Sequence, residues 1–80
     1  MITIEKDTNA EEIFIHATPE DLREFAKKLW ALSEKADIKG KHKEQFTTQS
    51  SSDPQLSTRP KGDPKKVSVV KTLTISSSIR

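Results

Sequence analysis

The chain offers few side chains of the kinds that bind metals or cofactors. His16 and His42 are its only histidines, and none of its 80 residues is cysteine. A zinc site needs three or four ligands, so these histidines would have to recruit carboxylates, and none stands at a recognisable spacing. The sequence therefore predicts no metal site and no cofactor.

Residue patterns that mark enzymes are also missing. Gly40 and Gly62 are the only glycines, which excludes a glycine-rich phosphate loop, and neither histidine accompanies a serine in a nucleophile motif. Glu11 and Glu12 are a carboxylate pair of the kind used in acid–base catalysis, but at the start of a strand such charges are usually solvated. Because 80 residues leave little material for a water-excluding pocket, we expect a binding module and not an enzyme.

Charge is distributed unevenly along the chain. Residues 1–40 carry six basic and nine acidic side chains, whereas residues 41–80 carry eight basic and three acidic ones. The acidic residues concentrate around a predicted strand-to-helix turn, where they favour a basic protein partner. Helix-dipole stabilisation and solubility are the alternative explanation for them. The predicted partner-binding residues are Glu11, Glu12, Phe14, His16, Glu20, Asp21 and Glu24.

A second hypothesis uses the basic half of the chain. Six residues there could form a patch for nucleic acid: Lys41, Lys43, Arg59, Lys61, Lys65 and Lys66. Against it, the chain has no tyrosine, and no pair of aromatic residues alternates on a strand as a base-stacking platform requires. The sequence therefore favours a protein partner over a nucleic acid.

The element that must position these residues is an amphipathic helix over residues 19–38. Thr18 has a side-chain oxygen suited to the N-cap, Pro19 suits the first helical position, and Gly40 suits the C-terminal cap. One apolar stripe runs along this segment through Leu22, Phe25, Ala26, Leu29, Leu32 and Ala36.

Alternating apolar and polar residues predict strands on both sides of the helix. Residues 2–5 and 11–17 would form a hairpin, residues 41–48 a weaker strand, and residues 66–75 a long one. The prediction is one α+β domain over residues 1–80, with a single amphipathic helix packed on one face of a mostly antiparallel sheet in the order ββαββ. The expected core face comprises Ile2, Ile4, Ile13, Ile15, Val67, Val69, Leu73 and Ile75.

Two regions stand outside this core. Residues 49–64 are polar and proline-rich, which predicts a mobile loop. The sheet face away from the helix would carry Phe14 and Val70, and a homodimer could bury them. No apolar run approaches the roughly 20 residues needed to cross a bilayer, and the amino terminus lacks the pattern of a secretory signal. These features predict a cytoplasmic protein that does not enter membranes.

Beyond these patterns, the chain resembles small bacterial immunity proteins. The likeness lies in the strand ITIE, the segment EEIFIHATPEDL, the helix with Phe25, Leu29 and Trp30, and a β-rich tail. It is similar to the family called immunity protein 32, encoded beside toxins of polymorphic and contact-dependent growth inhibition systems. The resemblance implies a non-enzymatic cytoplasmic protein that binds a cognate toxin domain, such as a nuclease, and blocks its active site.

Overall fold

A computed structural model describes residues 1–49 and 54–79, which form one helix and five strands. The elements are β1 (Thr3–Asp7), β2 (Ile13–His16), α1 (Pro19–Lys39), β3 (Lys41–Thr47), β4 (Val67–Val69) and β5 (Thr72–Ser78). All of these strands pair antiparallel, which confirms the α+β class; the order is ββαβββ, one strand more than the predicted ββαββ. No helix in the described ranges is long and apolar enough to cross a membrane.

The strands form two sheets and not the single sheet expected from the sequence. One sheet has the order β2-β1-β4, and the other pairs β3 with β5. The predicted final strand is divided because its first half pairs with β1 and its second half with β3. The chain therefore changes sheets at Val70 and Lys71, which lie between β4 and β5.

The helix begins and ends where its sequence predicts. The Thr18 hydroxyl oxygen accepts a 3.1 Å hydrogen bond from the Asp21 amide, which satisfies a donor of the first turn. At the other end, Gly40 has a positive φ of 88°, and its amide donates to the Ala36 carbonyl. Of the apolar stripe, Phe25, Leu32 and Ala36 are buried, and the helix packs on β3 and β5.

A small core joins the two sheets and the helix. Its buried members are Ile2, Ile4, Phe25, Phe46 and Leu56. The rings of Phe25 and Phe46 meet edge to face with centroids 5.1 Å apart, which is a favourable arrangement for two aromatic rings. Leu73 and Ile75 are partly buried and pack against this cluster, as the sequence predicts.

Four residues of the predicted core face are not part of the core. Ile13 is 59% exposed and Ile15 is 50% exposed, because β2 is the outer strand of its sheet and the helix packs on the other sheet. Val67 and Val69 pair directly with Asp7 and Glu5. Paired residues share a face, so both valines lie on the side of the sheet opposite Ile4.

The segment predicted as a mobile loop contributes to the core. Leu56 bridges to Ile2 in parallel, with the Ile2 amide donating to the Gln55 carbonyl and the Ser57 amide donating to the Ile2 carbonyl. The Leu56 amide donates to the Thr47 carbonyl, so this residue connects β1 with the end of β3. Residues 50–53 of the loop lie outside the described residues, and its mobility stays a prediction.

Candidate functional site

The predicted partner-binding residues lie along the β1–β2 hairpin and the first turns of α1. At the hairpin turn, Asp7 Oδ1 accepts hydrogen bonds from the amides of Glu11 (2.8 Å) and Glu12 (3.3 Å). Ala10 adopts a positive φ of 55° in the same turn. The turn thus fixes the backbone of Glu11 and Glu12 at the start of β2 and leaves both residues exposed.

A second acidic group lies at the opposite end of β2, where the helix starts. Asp21 accepts a 2.9 Å hydrogen bond from the Met1 ammonium group, and Glu24 pairs with Lys27 at 3.3 Å. The Met1 ammonium lowers the pKa of Asp21; burial opposes that effect and the Thr18 hydroxyl supports it. Glu20 is exposed on the first helical turn.

The two acidic groups do not form one continuous surface. The four residues of β2 separate them, a length of roughly 13 Å for an extended strand. The sequence predicts one negative surface around the strand-to-helix turn, whereas Glu11 and Glu12 belong to the hairpin turn before β2. The structure instead places one acidic group at each end of an exposed strand.

Between the acidic groups, β2 exposes an apolar surface that the sequence analysis assigned to the core. Ile13 and Ile15 lie on the same face, because alternate residues of a strand point the same way. Their direct partners on β1 are Lys6, which is exposed, and Ile4, which is buried. We call this region the β2 surface. It is formed by Ile13 and Ile15, with Glu11 and Glu12 at one end of the strand and Glu20, Asp21 and Glu24 at the other.

Phe14 and His16 lie on the opposite face of β2, beside a buried carboxylate. His16 Nε2 is 2.8 Å from Glu5 Oε1, and the Phe14 ring stacks on the imidazole with centroids 6.5 Å apart. Glu5 is only 1% exposed, and its Oε2 accepts hydrogen bonds from the amides of Lys61 (2.8 Å) and Gly62 (3.1 Å). This carboxylate therefore holds residues 61 and 62 against the sheet.

The pKa of Glu5 results from opposing effects. Burial raises it, but the Gly62 and Lys61 amides, followed by the hydrogen bond and charge of His16, together hold the pKa below its ordinary value of 4.5. Sequence reasoning missed this residue, because nothing local distinguishes Glu5 from the exposed Lys6 beside it. The amides that determine its state come from 56 and 57 positions later in the chain.

The His16–Glu5 pair resembles the histidine–carboxylate half of a catalytic triad, and the same carboxylate also fixes the backbone of residues 61 and 62. Both Glu5 oxygens are occupied by groups of the same chain. A cleft of about 460 Å³ borders His16, with Ser57 and Lys61 also on its wall. Among the described residues, no group of three or more His, Cys, Asp or Glu side chains is placed to hold a metal ion.

The face of the β3–β5 sheet away from the helix has a different character. Lys41 and Lys43 are exposed there and pair directly with Ser78 and Ser76. Phe46, the aromatic residue of β3, points to the helix side and is buried against Phe25. On the helix side, Glu44 accepts from His42 at 3.2 Å and pairs with Lys35 at 3.6 Å, and His42 is the main cause that lowers the pKa of Glu44.

Comparison of the chain with protein-family models, with curated proteins and with solved structures gave no match.

Proposed function

We propose that this protein is a non-enzymatic immunity protein, which binds a cognate bacterial toxin domain and occludes its active site. The observation that carries the proposal is the β2 surface: Ile13 and Ile15 are exposed on one face of an outer strand, and acidic residues precede and follow this strand along the chain. Contiguous exposed apolar side chains with a polar rim often mark binding sites for other proteins, and Ile13 and Ile15 are adjacent on one face of β2.

Charge favours a basic partner for this surface. Three carboxylates of its rim, Glu11, Glu12 and Glu20, have no basic partner among the ion pairs of the described residues. Rim charges of this kind mainly accelerate association with an oppositely charged protein, while buried apolar contacts slow dissociation. A nuclease-type toxin domain with a positive substrate cleft fits both requirements.

The direct test is binding of the toxin domain encoded next to this protein's gene. We expect the two purified proteins to form a complex with a nanomolar or lower Kd and loss of toxin activity. The double variant Ile13→Lys/Ile15→Lys should abolish the complex, whereas Ile38→Lys, at an exposed apolar residue on α1, should leave it unchanged. Failure of the wild-type proteins to associate would refute the proposal.

The alternative function, nucleic-acid binding, is favoured by one observation. Lys41 and Lys43 are exposed on the same face of β3, next to the hydroxyl-bearing residues of β5. The burial of Phe46 argues against it, because the strand then offers no ring on which a base could stack. Nucleic-acid affinity that falls steeply with salt and is lost in Lys41→Gln/Lys43→Gln would support this alternative.

A further inference from the structure

The hydrogen-bond register shows which backbone groups of β2 point away from β1. The Asp7 amide donates to the Glu12 carbonyl, so Asp7 and Glu12 form a hydrogen-bonded pair. Such pairs alternate along an antiparallel ladder, which makes Glu5–Phe14 and Thr3–His16 hydrogen-bonded pairs as well. The amides and carbonyls of Ile13 and Ile15 consequently point outward.

The other side of β1 confirms this register. The Val70 amide donates to the Ile4 carbonyl, so Ile4 directs its backbone groups toward β4. Because successive residues of a strand direct their hydrogen bonds to opposite neighbours, Thr3 and Glu5 direct theirs toward β2. The outward edge of β2 therefore combines open backbone groups with the exposed side chains of the same two residues.

This edge lacks the protection that the opposite edge of the same sheet has. The outer strand β4 has only three residues, and Lys65, Lys66 and Lys71 lie close to its ends. Flanking lysines are a common way to prevent another strand from pairing, and β2, which is itself only four residues long, has none at its ends. β2 contains neither lysine nor proline, and no described strand pairs with its outer side.

We propose that the edge of β2 accepts an extended segment of the partner protein as a fourth strand of this sheet. The proposal rests on the proposed function and specifies how the partner is recognised. The added strand would pair with the outward backbone groups of Ile13 and Ile15 and place apolar residues beside their side chains. Lys or Arg residues at both ends of the segment would meet Glu11 and Glu12 at one end and Glu20 and Glu24 at the other.

The same charges disfavour a second copy of this chain as the added strand. In an antiparallel pair of β2 strands, Glu11 and Glu12 of one copy would lie near the helix start of the other, which carries Glu20 and Asp21. In a parallel pair, each acidic group would meet its own equivalent. Like charges at an interface oppose association, so a basic segment of a different protein is favoured.

The test uses a blocked peptide, KKVTVTVKK, titrated into the ¹⁵N-labelled protein at low salt and observed by NMR. We expect chemical-shift changes centred on the amides of Ile13 and Ile15. The peptide KKVTPTVKK, in which proline removes a central donor, is the control and should bind at least about tenfold more weakly. Changes centred on Lys41 and Lys43 would overturn the proposal.

Variants of β2 distinguish backbone pairing from side-chain docking. Ile15→Pro removes an outward amide that β1 does not use, and should weaken peptide binding by about tenfold, the effect of a lost hydrogen bond combined with a clash. Ile15→Thr keeps that amide and should weaken binding less. Ile13→Pro, at the first residue of β2, provides a second measurement if Ile15→Pro fails to fold. Equal binding by the proline and threonine variants would overturn strand addition.

Two further results separate this inference from the proposed function. If the toxin domain binds wild type and Ile15→Pro equally but does not bind Ile13→Lys/Ile15→Lys, strand addition is refuted and the proposed function stands. If the peptide binds at β2 while the toxin domain does not bind, the proposed function is refuted, and the proposal that the edge of β2 accepts an added strand is supported. If sedimentation shows that the unliganded chain forms a concentration-dependent dimer, the added strand is a second copy of this chain, and the proposal of a basic segment from another protein is refuted.

Discussion

β1 and β2 lie side by side and place Ile4 and Ile15 directly opposite each other, yet the environments of the two strands differ. Ile4 is 1% exposed, whereas its direct partner Ile15 is 50% exposed. β1 has a strand on each side and packs against Phe25 and Leu56, while β2 is the outer strand and the helix packs on the other sheet. Position within the sheet therefore decides that Ile4 belongs to the core while its partner Ile15 stays at the surface.

The opposite face of the hairpin shows the same contrast. Glu5 is buried beneath residues 61 and 62, whereas its partner Phe14 is only partly covered. A single segment from the second half of the chain thus covers β1 and stops short of the outer strand. That covering lies on the Glu5–Phe14 face of the hairpin, opposite the β2 surface with its exposed Ile13 and Ile15.

The largest expected effect comes from truncating equivalent residues of the two strands. Ile4→Ala should lower the free energy of unfolding by about 4 kcal/mol, because it leaves a cavity in the core. Ile15→Ala should lower it by about 0.5 kcal/mol, as expected for a half-exposed site. Urea unfolding of both variants measures the difference, and similar losses would mean that β2 is covered in solution.

The next prediction concerns the loop residue that packs against β1. Leu56→Ala should lower the free energy of unfolding by about 3 kcal/mol, somewhat less than Ile4→Ala because the segment around it has freedom to relax. Leu22→Ala is the matched control, since Leu22 is 48% exposed on the first turns of α1, and it should cost about 0.5 kcal/mol. A loss below that of the control would show that the loop does not cover the core.

The buried carboxylate of β1 predicts a pH dependence. The pKa of Glu5 is lower in the folded protein than its ordinary value of 4.5, so its ionised form stabilises the fold above that pH. This stabilisation of the fold is lost as the pH falls from 4.5 through the lower pKa that Glu5 has in the folded protein. We expect the urea midpoint of wild type to decrease over that range, and Glu5→Gln to decrease less steeply.

Asp21 and Glu44 also have lowered pKa values, so Glu5→Gln should retain part of the acid dependence. Glu44→Gln is the control: it should lose its own contribution while keeping that of Glu5. Identical acid profiles for wild type and Glu5→Gln would contradict a charged, hydrogen-bonded Glu5 in the folded protein.

The smallest effect distinguishes neighbouring amides within β2. The amides of Phe14 and His16 bond to β1 and should exchange slowly with solvent deuterium, whereas those of Ile13 and Ile15 point outward and should exchange faster. NMR-detected exchange at neutral pH resolves this alternation. Slow exchange at Ile13 and Ile15 in the isolated chain would mean that the edge is already paired.

Local features of the fold were predictable because their causes lie within a few residues. Thr18 and Gly40 determine where the helix begins and ends through hydrogen bonds spanning three or four positions. Alternation in residues 2–5 and 11–17 predicted the hairpin and placed Ile13 and Ile15 opposite Phe14 and His16, as the register shows. Of the residues on the β2 surface, the sequence predicts the acidic ones as partner-binding, a prediction that stays open, and assigns Ile13 and Ile15 to the core, which their exposure contradicts.

The sequence by itself determined the helix, the strands and the alternation of their faces, since backbone geometry imposes those periods locally. The tertiary structure decided which faces are covered. Glu5 is buried by amides 56 and 57 positions away, Leu56 enters the core through a bridge to Ile2, and the final strand divides between two sheets. Coverage depends on distant segments meeting in space, and so no local pattern could reveal that β2 remains open.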